Sequence, residues 1–243
     1  MKAVLSQPVP AAATPHLAFD VYRIPFFLEP DYPADETFEE TNRVRLHRKW
    51  GGERQFKEQK QRHRLKERGV EAGLRPDAFN LDRVASSTLA SHTLVQWAGR
   101  TYGLDASERL YDRLNTYHFE EGRKLNDAAA LAAIAGEEGM DEVAAAAYLA
   151  SGKGRDAIVG AYHAVQRMGI SGIPCFVVDG GRSVLSGAVH ADELTRVFRE
   201  IEAEAVEKRG GGREKEEDEM PGPVFAPLLM NALEEGGSLV GAE

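Results

Sequence analysis

The sequence predicts an α/β domain in which a long helical stretch is inserted between strands. An apolar, strand-like segment comes first, and a long stretch with helical periodicity follows it. The chain then returns to strand-like sequence at a proline, makes a hairpin turn and ends in a helix. This order of elements predicts a split α/β domain with a helical insertion.

The first predicted strand covers Leu17–Leu28. Apolar residues alternate from Phe19 through Val21 and continue to the end of the segment, where Pro30 and Pro33 interrupt them. A proline-terminated apolar run is typical of a buried strand that leads into a loop.

A basic segment, Arg43–Arg68, follows this strand. It holds 11 Lys or Arg against 3 Glu, a net charge of +8 in a chain whose net charge is −9. Gly51 and Gly52 divide it into two helical pieces. We interpret the charges as solvated faces of surface helices, and the alternative is binding of an acidic partner or nucleic acid.

Five further helices are predicted from apolar periodicity and capping residues. Gly103 and Gly169 stand where two of them should end. The helices are Leu81–Tyr102, Ser107–Glu121, an alanine-rich helix capped by Asn126 or Asp127 and reaching Ile134, Val143–Ala150 preceded by Asp141, and Arg155–Met168.

The C-terminal part of the domain is predicted to be a hairpin followed by a helix. A β-branched run is interrupted by Pro174, and residues 179–181 (Asp-Gly-Gly) form the turn before the return strand Arg182–Ser186. Asp192 opens a helix that reaches about Glu207. Proline donates no ladder hydrogen bond, so the first strand must lie at an edge or bend at this point.

Composition limits the classes of protein to which this chain can belong. Hydrophobic residues make up 42% of the chain and charged residues 28%, which allows a core and excludes a collagenous or fully disordered protein. Cys175 is the single cysteine in this sequence, which excludes an intrachain disulfide framework and a cysteine-rich zinc site.

No stretch approaches the roughly 20 apolar residues that span a bilayer. Prolines crowd the first 15 residues, and these residues contain no apolar core typical of a secretory signal. We therefore expect a cytoplasmic protein with no membrane partner. The net charge of −9 leads us to expect no nucleic-acid binding by the chain as a whole.

Three pieces of sequence resemble a known family. They are "FDVYRIPFFLEPDYP", "STLASHTLVQWA" and "GISGIPCFVVDGGRSVLSGA". In this order they resemble the DsbA-like thioredoxin proteins of the FrnE type, relatives of 2-hydroxychromene-2-carboxylate isomerases and kappa-class glutathione transferases. The resemblance covers about residues 17–205.

The resemblance implies a thioredoxin-like fold and the family activity, thiol–disulfide oxidoreduction. It implies a thioredoxin-like domain at 17–208 with the helical insertion at about 34–168, preceded at 1–16 by a remnant helix end and loop. Residues 209–243 are charged, glycine-rich and mostly aperiodic, so we expect a disordered tail in which the apolar piece Val224–Leu233 can dock.

The resemblance also implies a substrate-binding site. Pro174 would be the cis-proline that faces the active site, and Ile173 would offer its backbone to a thiol or disulfide substrate, either a peptide or glutathione. Without the resemblance, both residues are interpreted as ordinary strand and turn packing.

The Cys-x-x-Cys motif of the family is missing from this sequence. Family members carry it after a first strand, at a helix N-terminus that lowers the pKa of the first thiol. Here that strand and turn are absent ahead of Leu17, so we expect an N-terminally truncated domain in which Met1–Leu5 continues the end of the lost helix. We therefore assign no catalytic residue.

Two explanations of the truncation are left open. The sequence either begins at an internal methionine of a longer enzyme or belongs to a protein without the redox centre. We favour the first, because loss of a central strand leaves an open sheet edge and exposed core surface. The same open edge leads us to expect self-association.

Cys175 has two interpretations. A cysteine in an apolar strand usually packs as a small hydrophobic residue. The alternative is a thiol near the active-site face that forms a mixed disulfide with glutathione. We expect no cofactor other than glutathione. His92, His118 and His163 lack metal-ligand spacing, so no metal site is predicted.

Three functions follow from the resemblance, and they leave open whether this chain is an enzyme. The first is the family thiol–disulfide oxidoreduction, with its redox motif outside this sequence. The second is a redox-inactive binding module that uses the groove at Ile173 and Pro174. The third is a glutathione-dependent isomerase or transferase relative.

Overall fold

A computed structural model describes residues 21–210, with side chains as far as residue 205. The predictions for residues 1–16, for the start of the strand Leu17–Leu28 and for the tail beyond residue 210, including Val224–Leu233, lie outside the described residues. Contacts divide the chain into two units. We call Phe27–Ile158 the helical unit, and the described residues before and after it the hairpin unit.

The described elements are mostly helical. None of the helices within residues 21–210 combines the length and apolar character needed to cross a membrane. In chain order they are β1 (Glu40–Thr41), α1 (Asn42–Trp50), α2 (Glu53–His63), α3 (Leu65–Glu71), β2 (Val84–Ala85), α4 (Leu89–Tyr102), α5 (Leu104–Asn115), a π-helical turn (Thr116–Glu120), α6 (Ala128–Glu137), α7 (Glu142–Ala150), α8 (Arg155–Arg167), β3 (Cys175–Val178), β4 (Ser183–Ser186) and α9 (Ala191–Gly210).

The helices begin and end largely at the predicted signals. α1 ends at Gly51, whose φ of 82° is the left-handed conformation that glycine adopts most easily, and α2 follows it. The predicted break of the basic segment is therefore confirmed. A second break at Arg64, with φ of 45°, separates α2 from α3. No glycine or proline stands at this position, so the sequence did not predict the break.

Aspartate caps start α6 and α7. The carboxylates of Asp127 and Asp141 each accept a hydrogen bond from the backbone N–H three residues further on, at 3.0 and 2.9 Å. Asn126, the alternative cap, is instead buried and donates to the carbonyls of Asp35 and Phe38 at 2.8 and 3.0 Å. It fastens a distant loop to the start of α6.

Two predicted helices have different boundaries in the structure. The helix expected from Leu81 begins only at Leu89, because residues ahead of it pair as β2 with β1. Backbone N–H groups of Asn42 and Arg43 donate to the carbonyls of Arg83 and Leu81, which holds that segment outside any helix. The helix expected at Ser107–Glu121 begins earlier, at Leu104, and ends in the π-helical turn.

The core of the helical unit lies among α4, α5, α6 and α7. It is made of apolar side chains at helical spacing, which is the pattern that the sequence predicts for this stretch. Its least exposed members are Leu94, Ala98, Leu110, Leu131, Ala135 and Ala145, each with 0% of its surface exposed.

In the hairpin unit, the predicted strand Leu17–Leu28 is wrong over its described part, since residues 21–28 form no strand. Ladders among the described residues join only β1 to β2 and β3 to β4, so no neighbouring strand accepts its hydrogen bonds. Ile24 and Phe26 pack instead against Ala164 and Val165 of α8. The apolar residues therefore pack as predicted, but they do not form a strand, because a strand needs a neighbouring strand with which to form hydrogen bonds.

We expect Leu110→Ala in α5 to lower the free energy of unfolding by about 2–5 kcal/mol. The fully buried leucine leaves a cavity that the four packed helices cannot fill. Val143→Ala in α7 is the control, because Val143 is 78% exposed and its truncation should change stability by less than about 0.5 kcal/mol. Urea unfolding followed by far-ultraviolet circular dichroism measures both, and equal losses would contradict the proposed core.

Candidate functional site

The candidate site lies where the chain enters the hairpin β3–β4. The strands are antiparallel, and their register pairs Phe176 with Leu185 and Val177 with Val184. Side chains alternate between the two faces of a strand. Phe176 and Leu185 accordingly share one face, and they pack there on Phe198 of α9.

The hairpin turn adopts the conformation that its Asp-Gly-Gly sequence favours. Asp179 and Gly180 have φ of 50° and 65°, in the left-handed region where Gly and Asp are tolerated best. Arg182 follows the turn and forms ion pairs with Asp179 and with Glu204 of α9. The turn is thereby tied to the helix as well as to its own strands.

Pro174 lies directly before β3, and the Ile173–Pro174 peptide bond is cis. The carbonyl of Pro174 accepts a hydrogen bond from the N–H of Gly187 at 2.9 Å, immediately beyond the paired residues Cys175 and Ser186. The proline therefore sits at the last rung of the ladder, where its missing N–H costs no strand pairing.

Ile173 precedes this rung and remains open. The residue is 51% exposed, and within residues 21–210 its backbone N–H and carbonyl have no hydrogen-bond partner. An exposed backbone with free donor and acceptor at the end of a strand can pair with another extended chain. We call Ile173 and Pro174 the entry ledge.

Cys175 lies on the opposite face of the hairpin from α9. The register places it across from Ser186, on the same face as the pair Val177 and Val184. Its side chain is partly buried, whereas Val177 and Val184 are 36% and 52% exposed. We call these four residues the far face. A thiol at this place can pack or react, so the interpretation of Cys175 as a reactive thiol stays a prediction.

The histidines discussed from the sequence do not meet at one place. His92 packs its ring edge-on against Phe27 at 5.6 Å, and His163 contacts Gln166 at 3.3 Å. No group of three or more potential metal ligands forms within the described part of the chain.

The basic segment is partly neutralised by ion pairs. In α1, Arg43 pairs with Asp82, Arg45 with Glu29 and Arg48 with Glu40, at 3.1, 2.8 and 2.6 Å. In α2, Lys57 pairs with Glu53 one turn away, as the solvated-face interpretation expects. The pairs Arg43–Asp82 and Lys57–Glu53 are exposed and contribute little to stability, whereas Arg45–Glu29 is largely buried.

Glu29 is the centre of the ion pairs around α1. Besides Arg45, it accepts from Lys49 at 3.1 Å, and beside it a shallow cavity of about 310 Å³ is lined by Tyr32 and Arg48 among others. The Tyr32 hydroxyl donates to Glu40, and burial together with that carboxylate raises the pKa of Tyr32. These contacts hold the loop ahead of β1 against α1.

A buried arginine in the helical unit was not predicted. Arg83 is 9% exposed and has no ion pair among the described residues, and its Nε has no hydrogen-bond partner. Its guanidinium lies over the rings of Phe79 and Phe119, at 5.7 and 5.4 Å from their centroids, and one Nη donates to the Asn80 carbonyl. Burial, with repulsion from Arg45, lowers the pKa of Arg83 to about 10.

His118 in the π-helical turn is partly buried and lies near Arg83. Burial lowers the pKa of His118 to about 4, and the nearby charges of Arg83 and Arg45 act in the same direction. The ring is therefore neutral at pH 7, and its Nδ1–H donates to the Arg123 carbonyl at 2.9 Å. Neither residue belongs to a periodic motif, so the sequence held no signal that they meet.

Comparison with known proteins identifies the family. The profile of the DSBA-like thioredoxin domain matches residues 7–199. The crystal structure of a probable DsbA oxidoreductase from Streptomyces coelicolor is similar, with a TM-score of 0.61 and 24% sequence identity over 78% of this chain and 75% of that chain. This second likeness supports the fold alone. No curated protein matches the chain.

We expect His118 to make the stability of the protein depend on pH. The unfolded chain takes up a proton at this ring below its ordinary pKa of about 6.5, whereas the folded chain does so only below about 4. The unfolded state therefore binds more protons between these values, and stability falls as the pH falls. The expected loss is about 2 kcal/mol between pH 7 and pH 5.

His118→Gln, which cannot be protonated, should remove this part of the pH dependence, while His190→Gln at an exposed histidine should keep it. Urea unfolding at both pH values measures the difference. A His118→Gln variant with the wild-type pH dependence would show that the ring is not held neutral by burial.

Proposed function

Since the chain belongs to the DSBA-like thioredoxin domain family, we propose that it acts in thiol–disulfide chemistry and binds an extended cysteine-containing peptide or glutathione along the entry ledge. The single observation that carries this proposal is the backbone of Ile173, which has no hydrogen-bond partner within residues 21–210 at a residue that is half exposed. Binding would pair the backbone of the ligand with this residue, as strand addition does at other open sheet edges.

The chemistry of the ledge suits such a ligand. A bound segment in extended conformation offers one N–H and one carbonyl to Ile173, and its cysteine side chain can lie beside an apolar surface. The carbonyl of Pro174 already accepts from Gly187, so it orients the ledge. Recognition of main chain would accept many different peptide sequences.

Turnover would need a second thiol. Thiol–disulfide exchange passes through a mixed disulfide that a further thiolate resolves, and Cys175 is the single cysteine of this sequence. We therefore propose that residues 1–243 supply the substrate-binding part of the family activity. A redox-inactive binding module would use the same ledge in the same way, and the two differ only in whether bound disulfides are exchanged.

Ile173→Asp should weaken ligand binding at the ledge about tenfold or more, because the added carboxylate repels the acidic ligand and opposes apolar contact. The probe is a fluorescent S-alkyl glutathione, which binds without thiol chemistry, and fluorescence anisotropy gives its Kd. Val184→Asp is the matched control, since it adds the same charge at a residue of nearly equal exposure, 52% against 51%.

The control should bind the probe at least as tightly as the wild type. Equal weakening by both variants would show a general effect of charge on the hairpin, and no weakening by Ile173→Asp would place the ligand elsewhere. A second probe with an N-methylated backbone amide should bind more weakly than its parent, because it can no longer donate to the Ile173 carbonyl.

A further inference from the structure

The far face of the hairpin is apolar at its centre and has no cover among the described residues. Val177 and Val184 form a cross-strand pair and keep 36% and 52% of their surfaces exposed. The α9 face of the same two strands is covered, with Leu194 and Phe198 buried against it to 6% and 8% exposure. A thin two-stranded sheet thus has one packed face and one open face.

The chain that continues from α9 carries a segment of matching chemistry. Residues 211–219 hold five acidic and two basic side chains, and Val224–Leu233 then runs for ten residues without a charge. The acidic pair Glu234 and Glu235 closes the run. Burial of this apolar run against another apolar surface would be favourable, because it removes apolar area from water.

We propose that Val224–Leu233 docks on the far face and covers Val177, Val184 and Cys175. The segment begins 14 residues after Gly210, where α9 ends. Its apolar side chains, which include Phe225 and Leu229, would bury the valine pair. This contact would also shield the single thiol of the sequence.

The length of the connection permits this contact. From Phe198, which touches the hairpin, α9 runs 12 further residues to Gly210, a rise of about 18 Å. The 13 residues 211–223 can span up to about 45 Å when extended. The linker must come back along the roughly 18 Å of α9 and pass about 10 Å from one face of the hairpin to the other. This path is shorter than the extended length of the linker.

Tethering favours this occupant over a second molecule. A segment joined to the hairpin unit meets the far face at an effective concentration in the millimolar range, which a separate chain reaches only in concentrated solution. The acidic stretch before the segment contains five carboxylates and remains in water as the linker.

Cys175 reports on the contact directly, because it is the single thiol of the sequence and lies on the far face. The experiment measures the rate at which an uncharged maleimide modifies Cys175 in the folded, full chain. In the double variant Leu228→Asp with Leu229→Asp, we expect the rate to rise at least fivefold over the wild type. Val240→Asp, further along the same tail, should leave it unchanged.

Other outcomes would overturn the proposal. Equal rates in the wild type and the double variant would mean that Val224–Leu233 does not cover the thiol. A rate that falls with protein concentration and ignores the double variant would assign the far face to a second copy. A labelling rate that rises in the double variant Val4→Asp with Leu5→Asp, and not in the tail variant, would assign the far face to the first residues of the chain.

A second variant separates docking from folding defects. Val184→Asp changes the far face and leaves the tail intact, so it should release the segment and raise the Cys175 labelling rate to that of the double variant. Circular dichroism checks that each variant is folded. The glutathione probe distinguishes the two proposals, since loss of its binding in Ile173→Asp does not depend on how fast Cys175 is labelled.

Discussion

The packing of the β3–β4 hairpin on α9 is the interaction on which the candidate site depends. A two-stranded hairpin is marginally stable by itself in water. Here Leu194 and Phe198 supply an apolar surface, and Arg182 ties the turn to Glu204 of the same helix. Because β3 cannot slip by one residue without turning Phe176 toward water, this packing also fixes the register. The register in turn places the entry ledge at the last rung.

The helical unit is fastened by polar contacts that join residues far apart in sequence. Asn126 and Lys124 donate to carbonyls of the loop that contains Asp35, Glu36 and Phe38, about 90 residues earlier. Arg83 is held by aromatic rings and one carbonyl instead of a carboxylate. A buried cation without an ion pair is costly, so the ring contacts and the hydrogen bond must offset its desolvation. The same region keeps His118 neutral.

Local signals in the sequence predicted much of the fold. Features that depend on contacts between residues far apart in the sequence were not predicted. Asp127, Asp141 and Gly51 act within one helical turn of their own position, so their caps could be inferred from the chain alone. The strand at Leu17–Leu28 depended on a partner strand, which no local pattern specifies. The contact between Arg83 and Phe119 likewise joins the segment ahead of β2 to the π-helical turn, and only the fold brings these two together. For the site, the family resemblance singled out Ile173 and Pro174, but only the structure shows that the Ile173 backbone has no hydrogen-bond partner among the described residues.

The entry ledge and the far face share one strand, so occupation of either changes the surroundings of the other. Cys175 follows Pro174 directly and lies on the far face, one residue from the ledge. If a ligand at Ile173 reaches over the thiol, it must displace Val224–Leu233 there. The ligand then weakens docking of the segment, and the docked segment weakens ligand binding by the same factor. The coupling is limited by the free energy with which the segment docks, because a ligand can shift this equilibrium only by its differential affinity for the covered and open states. The apolar segment would therefore set how readily the ledge accepts a substrate without contacting Ile173.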